Sequence, residues 1–148
     1  QGDSEQAAEY DMPEDDKESM PDQYKTVSLE EFVEYSKSMF AYWTEDDFAS
    51  SFRKMLTIEQ FRSEEMQGLY QQYLSSGPAA YVKDLFESMG IAHAEENAVR
   101  FYATMYFYYS VYDGADDKEK VKKEFASAIG IMAQEWIKQP KLTQIRKS

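Results

Sequence analysis

Residues 99–112 read VRFYATMYFYYSVY, one charge among fourteen residues and seven aromatic rings. On a helix these rings do not form one stripe. Tyr102, Met105, Tyr106 and Tyr109 line one face, and Phe101, Met105, Tyr108 and Tyr112 line its neighbour. Phe107 and Val111 extend the apolar surface further round. A helix that is apolar on most sides must be covered on more than one of them. This one is too short and too rich in tyrosine for a membrane span, which takes about 20 apolar residues. The coverings open to it are the chain's own core, a second subunit and a bound ligand. Five of the rings are tyrosines, and a buried phenol needs a partner for its hydroxyl. The function is therefore expected at this helix.

The rest of the chain reads as helices separated by caps. Ser28 with Glu31 forms a capping box, and Leu29, Phe32, Val33, Phe40 and Trp43 follow on one side. Thr44 is placed to cap the next helix, with Glu45, Asp46 and Asp47 in its first turn and Phe48, Phe52, Met55 and Leu56 on its apolar face. Ser63 restarts or kinks the helix, giving Met66, Leu69, Tyr70, Tyr73 and Leu74. Gly77-Pro78 reads as a stop followed by a first-turn proline. The helix it opens carries Tyr81, Val82, Leu85, Phe86 and Met89, and Gly90 suits its C-terminal cap. The aromatic helix spans Ala94 to Asp113-Gly114, and Asp116 with Glu119 reads as a second capping box for a last helix running to Pro140. No alternating strand pattern with hairpin turns appears. The expectation is an all-α domain of about six helices in an orthogonal or antiparallel bundle.

The last helix has a large-residue face of Val121, Phe125, Ile129, Met132 and Trp136 beside a small-residue face of Ala126, Gly130, Ala133 and Ile137. Together they cover more of the circumference than a surface helix needs. Two readings follow: close packing within the monomer, or a dimer in which a second copy lies against these residues.

The chain has 148 residues, 28 acidic against 16 basic, and a net charge of −12, which opposes direct binding to phosphate backbones. With no cysteine it has no disulfide, thiolate metal site or cysteine nucleophile, which fits a cytoplasmic protein. Residues 1–27 are acidic and contain Pro13 and Pro21. They read as a flexible leader with a short helical piece around residues 7–10. Residues 28–139 form the helical domain, and 140–148 a basic tail. The start at Gln1-Gly2 fits a protease scar, so an upstream region is expected to be missing.

Enzyme signatures are not found: there is no P-loop, dinucleotide glycine pattern or nucleophile elbow. The only histidine, His93, falls in the polar turn before the aromatic helix. Residues 113–117 imitate a calcium loop, but Ala115 and Lys118 stand at a ligand position and at the obligatory glycine, so a solvated turn is expected. No metal and no cofactor are implied. Glu59 is the odd carboxylate, four, seven and eleven residues after Met55, Phe52 and Phe48, on their apolar stripe. It is either one half of a structural pair with Arg53, Arg62 or Arg100, or a polar anchor in an aromatic pocket that would tolerate a cation.

The stretch FRKMLTIEQFRSEEMQGLYQQYL (52–74), the GPAAYVKDLFESMG after it and the later ENAVRFYATMYFYYSVYDG resemble the C-terminal effector domain of TetR/AcrR-type transcriptional regulators. The likeness runs over residues 28–139. It lies in the order of parts: an arginine-containing helix ending in LTIEQFR, a short LY helix, a Gly-Pro break, an apolar helix closing in YDG and a long final helix. The resemblance implies an all-helical homodimer whose last two helices join their counterparts in a four-helix bundle, with an effector site among the middle helices. The family's N-terminal helix-turn-helix is absent from these residues, so DNA would be reached only through a domain outside them.

The candidate ligand-binding residues are thus Phe52, Met55, Glu59, Tyr81, Phe86, Tyr102, Met105, Tyr106 and Tyr109, on helix faces expected to converge around a cavity of several hundred Å³, roughly the usual size for small-molecule sites. The effector is expected to be small and largely apolar or aromatic. The candidate dimer interface is Phe101, Tyr108, Tyr112, Ala126, Gly130, Ala133 and Ile137. Neither catalysis nor membrane insertion is expected.

Overall fold

A computed structural model describes residues 27–138. The acidic leader, its helical piece at 7–10 and the basic tail lie outside them. The described residues form six helices and no strand: α1 Leu29–Glu45, α2 Asp47–Glu59, α3 Glu64–Leu74, α4 Ser76–Ser88, α5 Ala94–Gly114 and α6 Lys118–Lys138. The all-α class read from the sequence is correct. No helix among the described residues is long and apolar enough to cross a membrane.

Most boundaries follow from local hydrogen bonds. Ser28 Oγ accepts from the Glu31 amide at 3.0 Å while Glu31 accepts from the Ser28 amide at 2.8 Å, the reciprocal box that starts α1. Ser63 caps α3 through the Met66 amide at 3.1 Å. At the end of α4, Gly90 takes φ 76. The Ile91 amide donates to Phe86 O and the Gly90 amide to Glu87 O, at 3.0 and 3.1 Å. This is a Schellman closure, which needs a left-handed residue at that place.

Three boundaries differ from the expected ones. Thr44 does not cap α2; it is buried inside α1 and donates its hydroxyl to Phe40 O at 2.6 Å, leaving Asp46 to accept from the Ala49 amide at 2.9 Å. Gly77-Pro78 is not the stop. The break falls at Ser75, and Gly77 and Pro78 lie in the first turn of α4. There proline's missing N–H is harmless. Gly77 is needed for a close approach, because a Cβ on it would collide with the Gln72 carbonyl. Asp117, not Asp116, meets the first turn of α6, accepting from the Lys120 amide at 3.1 Å. The turn before it is tied rather than merely solvated. The Lys118 ammonium donates to the carbonyls of Tyr112 and Ala115 at 2.9 and 3.0 Å and lies 5.0 Å from the centre of the Tyr112 ring. It complements the negative end of α5.

Helices α1, α4, α5 and α6 enclose the densest part of the core. Phe32, Phe86, Phe101 and Trp136 meet there with ring centres 4.7–6.3 Å apart. A second aromatic group lies nearer the C-terminal end of α5, where Phe40 stacks on Phe125 at 4.3 Å and on Tyr109 at 5.6 Å. Helices α2 and α3 are held differently. They pack on α1 and on α4 respectively, and on each other, and reach α5 through long side chains. This arrangement positions the candidate site.

Candidate functional site

The side chains that cross from α2 and α3 to α5 are mostly phenols and one guanidinium. Tyr70 of α3 and Tyr106 of α5 share a hydroxyl–hydroxyl hydrogen bond. One turn earlier on α5, Tyr102 donates its hydroxyl to Leu74 O at 2.6 Å, answering a carbonyl at the end of α3. Phe52 of α2 meets Tyr73 of α3 edge-on at 5.4 Å and stacks on Phe48 at 6.1 Å. Arg53, only 5% exposed, donates its two terminal nitrogens to Asp113 and Nε to Trp43 O, and its guanidinium carbon lies 4.9 Å from the centre of the Tyr109 ring. Tyr102, Tyr106 and Tyr109 continue along α5 with neighbouring ring centres 6.2 and 6.4 Å apart. The seam between α3 and α5 is thus crossed by two hydroxyl hydrogen bonds, Tyr70 with Tyr106 and Tyr102 with Leu74 O.

Burial pushes the Tyr70 hydroxyl up to about 12, and its bond to Tyr106 adds to the rise. Burial raises Tyr102 further, with neighbouring tyrosines acting in the same direction. Both effects disfavour negative charge in the seam. Uncharged amides continue the polar edge. Gln67 Nε2 donates to Gln60 O at 3.1 Å and Gln71 Nε2 to Gln67 Oε1 at 2.8 Å. Tyr106 is 37% exposed, so the seam reaches the surface at that ring.

The nine candidate ligand residues do not all converge. Phe52, Tyr102, Met105 and Tyr109 are buried and Tyr106 borders the seam. Met55 and Tyr81 are partly exposed and packed on the core. Two assignments are corrected. Phe86 is fully buried in the cluster with Phe32, Phe101 and Trp136, so it is core. Glu59 is not inside an apolar stripe: α2 ends at this residue, and its carboxylate pairs with Arg62 at 3.2 Å. Of the two readings of Glu59, the structural pair is the one observed.

The interface candidates divide in the same way. Phe101, Tyr112 and Ala133 are buried within this chain, which removes them as contacts to a second copy. Ala126 and Gly130 are half-buried. One turn before Ala126, Lys122 reaches Glu45 of α1 at 2.6 Å, whereas a Cβ on Gly130 would meet nothing within 4 Å. Tyr108 packs edge-on against Phe125 at 6.0 Å. Ile137 remains exposed, and Val99, Phe107 and Ile131 join it as large apolar side chains in the open on α5 and α6.

Sequence reasoning passed over Tyr70 and underrated Arg53. Arg53 carried a signal: it lies four residues after Ala49 and three before Leu56, a charge on an apolar face. Tyr70 had none to distinguish it from a core ring, because its partner is 36 residues away.

No family model, no curated protein and no solved structure matches this chain.

Proposed function

We propose that this domain senses a small molecule and dimerises, as the effector domain of a TetR-like regulator does, with DNA reading left to a helix-turn-helix outside these residues. The observation that carries the reading is the way α2 and α3 reach α5 through long side chains, among them Tyr70 and Tyr106, whose hydroxyls can be answered by a ligand as well as by each other. Small-molecule sites combine apolar walls with a few placed polar groups. The exposed apolar residues of α5 and α6 supply the surface for a second copy, and effector binding would shift the dimer between two helix arrangements. A thermal-shift screen of small aromatic compounds tests the sensing half. The reading expects stabilisation by a subset of compounds, lost in Tyr106→Ala; a screen in which no compound shifts the transition overturns it.

A second reading, a protein-interaction module without a ligand, is favoured by Ile58 and Phe61, 70% and 84% exposed around the end of α2. It expects a silent screen together with capture of a partner protein that Phe61→Ser abolishes.

A further inference from the structure

We propose that the seam between α3 and α5 is the ligand site itself, and that it takes an uncharged planar molecule bearing a hydroxyl or carbonyl at its edge, held between Tyr70 and Tyr106. The proposal rests on the sensing reading and narrows it to one place and one chemical class.

Hydrogen-bond counting gives the class. Tyr70 and Tyr106 have two O–H donors between them, and one is spent on the other residue's oxygen. A carbonyl inserted between them receives a donor from each phenol; a hydroxyl receives one and gives one. Either way a single phenol–phenol bond becomes two phenol–ligand bonds, with no buried polar atom left over. Tyr102 does not compete, because its donor is fixed on Leu74 O.

Charge selects against the alternatives. The polar groups at the edge are uncharged: Gln60, whose side chain hydrogen-bonds Tyr70, and the amides of Gln67 and Gln71. The nearest buried cation, Arg53, is already neutralised by Asp113 through two bonds and gives its third to Trp43 O. The carboxylate of Glu59 is taken by Arg62. Neither of these charged groups is left free for a ligand: Arg53 is buried with all three of its nitrogens engaged, and Glu59 already has Arg62 beside it, so burying a charged ligand here costs desolvation that an uncharged one avoids. The same surroundings hold the Tyr70 hydroxyl protonated up to about 12. Access is through Tyr106, the exposed member of the pair at 37%, whose ring also borders Tyr102 and Tyr109.

Four probes on one ring system test this: naphthalene, 2-naphthol, 2-naphthoate and 2-naphthylmethylammonium, titrated calorimetrically into the full chain at neutral pH. We expect 2-naphthol to bind about tenfold tighter than either charged analogue, with Tyr70→Phe and Tyr106→Phe each weakening it by about five- to tenfold. Circular dichroism and the weak binding of naphthalene should stay unchanged in both variants. If a charged analogue binds as tightly as 2-naphthol and shows the same tyrosine dependence, the class is wrong while sensing stands. Binding of 2-naphthol that ignores both Phe variants puts the site elsewhere and overturns the proposal. So does an absence of binding by every probe up to millimolar concentration; the broader sensing reading then falls only if the compound screen is silent too.

Discussion

Arg53 holds Asp113 with both terminal nitrogens, at 3.0 and 2.8 Å, across sixty residues of chain. With Nε on Trp43 O at 3.0 Å and the guanidinium against the Tyr109 ring, this one side chain ties the end of α1, the middle of α2 and the C-terminal turn of α5. Removing the carboxylate alone leaves a buried cation without its charge partner. Asp113→Ala should therefore lower stability by roughly 3 kcal/mol in urea unfolding, and Arg53→Met/Asp113→Leu should recover most of that loss. Equal losses for the single and double variants would contradict this account.

The seam tyrosines make stability fall at high pH. Tyr70 ionises at about 12 in the folded chain against the ordinary value of 10.0. Between these values the unfolded state has lost a proton that the folded state keeps, so stability decreases as pH rises. The contribution is fully present below pH 10 and gone once Tyr70 titrates. Urea unfolding at stepped pH should show this decline, and Tyr70→Phe should flatten it. An unchanged slope in the variant would remove Tyr70 as its source.

Two residues around the turn from α4 to α5 have left-handed backbones but opposite suitability for them. Gly90 at φ 76 is matched to its place; His93, at φ 54 and ψ 49, is not and makes no capping hydrogen bond. A residue with a Cβ costs about 1 kcal/mol in this region, less for asparagine. Gly90→Ala should lower stability by about 1 kcal/mol, and His93→Asn should raise it by about 0.5 kcal/mol. Thermal unfolding reads both signs, and a stabilising Gly90→Ala would refute the argument.

Dimerisation should respond to the outer face of α5 and α6. Phe107 and Ile131 are each 61% exposed. A stable interface needs more than about 1,000 Å² of buried surface, and a charge at its centre is costly. Phe107→Glu should therefore raise the dimer dissociation constant at least about tenfold. Gly130→Ala leaves this chain's own packing intact, since a Cβ there meets nothing within 4 Å, so a rise in the constant on that change would put Gly130 at the interface as well. Sedimentation equilibrium distinguishes the outcomes, and a monomeric parent chain would sink the prediction outright.

The aromatic run at 99–112 was legible as a helix from its composition and spacing. Capping at Ser28, Ser63 and Gly90 was equally legible, because these hydrogen bonds join residues only three to five positions apart. The sequence by itself therefore determined six helices and most of their ends. Only the tertiary structure decided how α5 is rolled. A helix apolar on most sides has no single direction encoded in its spacing; competition among its neighbours buried Phe101, Tyr102, Met105, Tyr109 and Tyr112 and left Phe107 outside. The same holds for the polar partners. Arg53 finds Asp113, Tyr70 finds Tyr106 and Tyr102 finds Leu74 O across 60, 36 and 28 positions. Pairs so far apart exist only after packing has brought their helices together, whereas a cap is formed by the helix it begins.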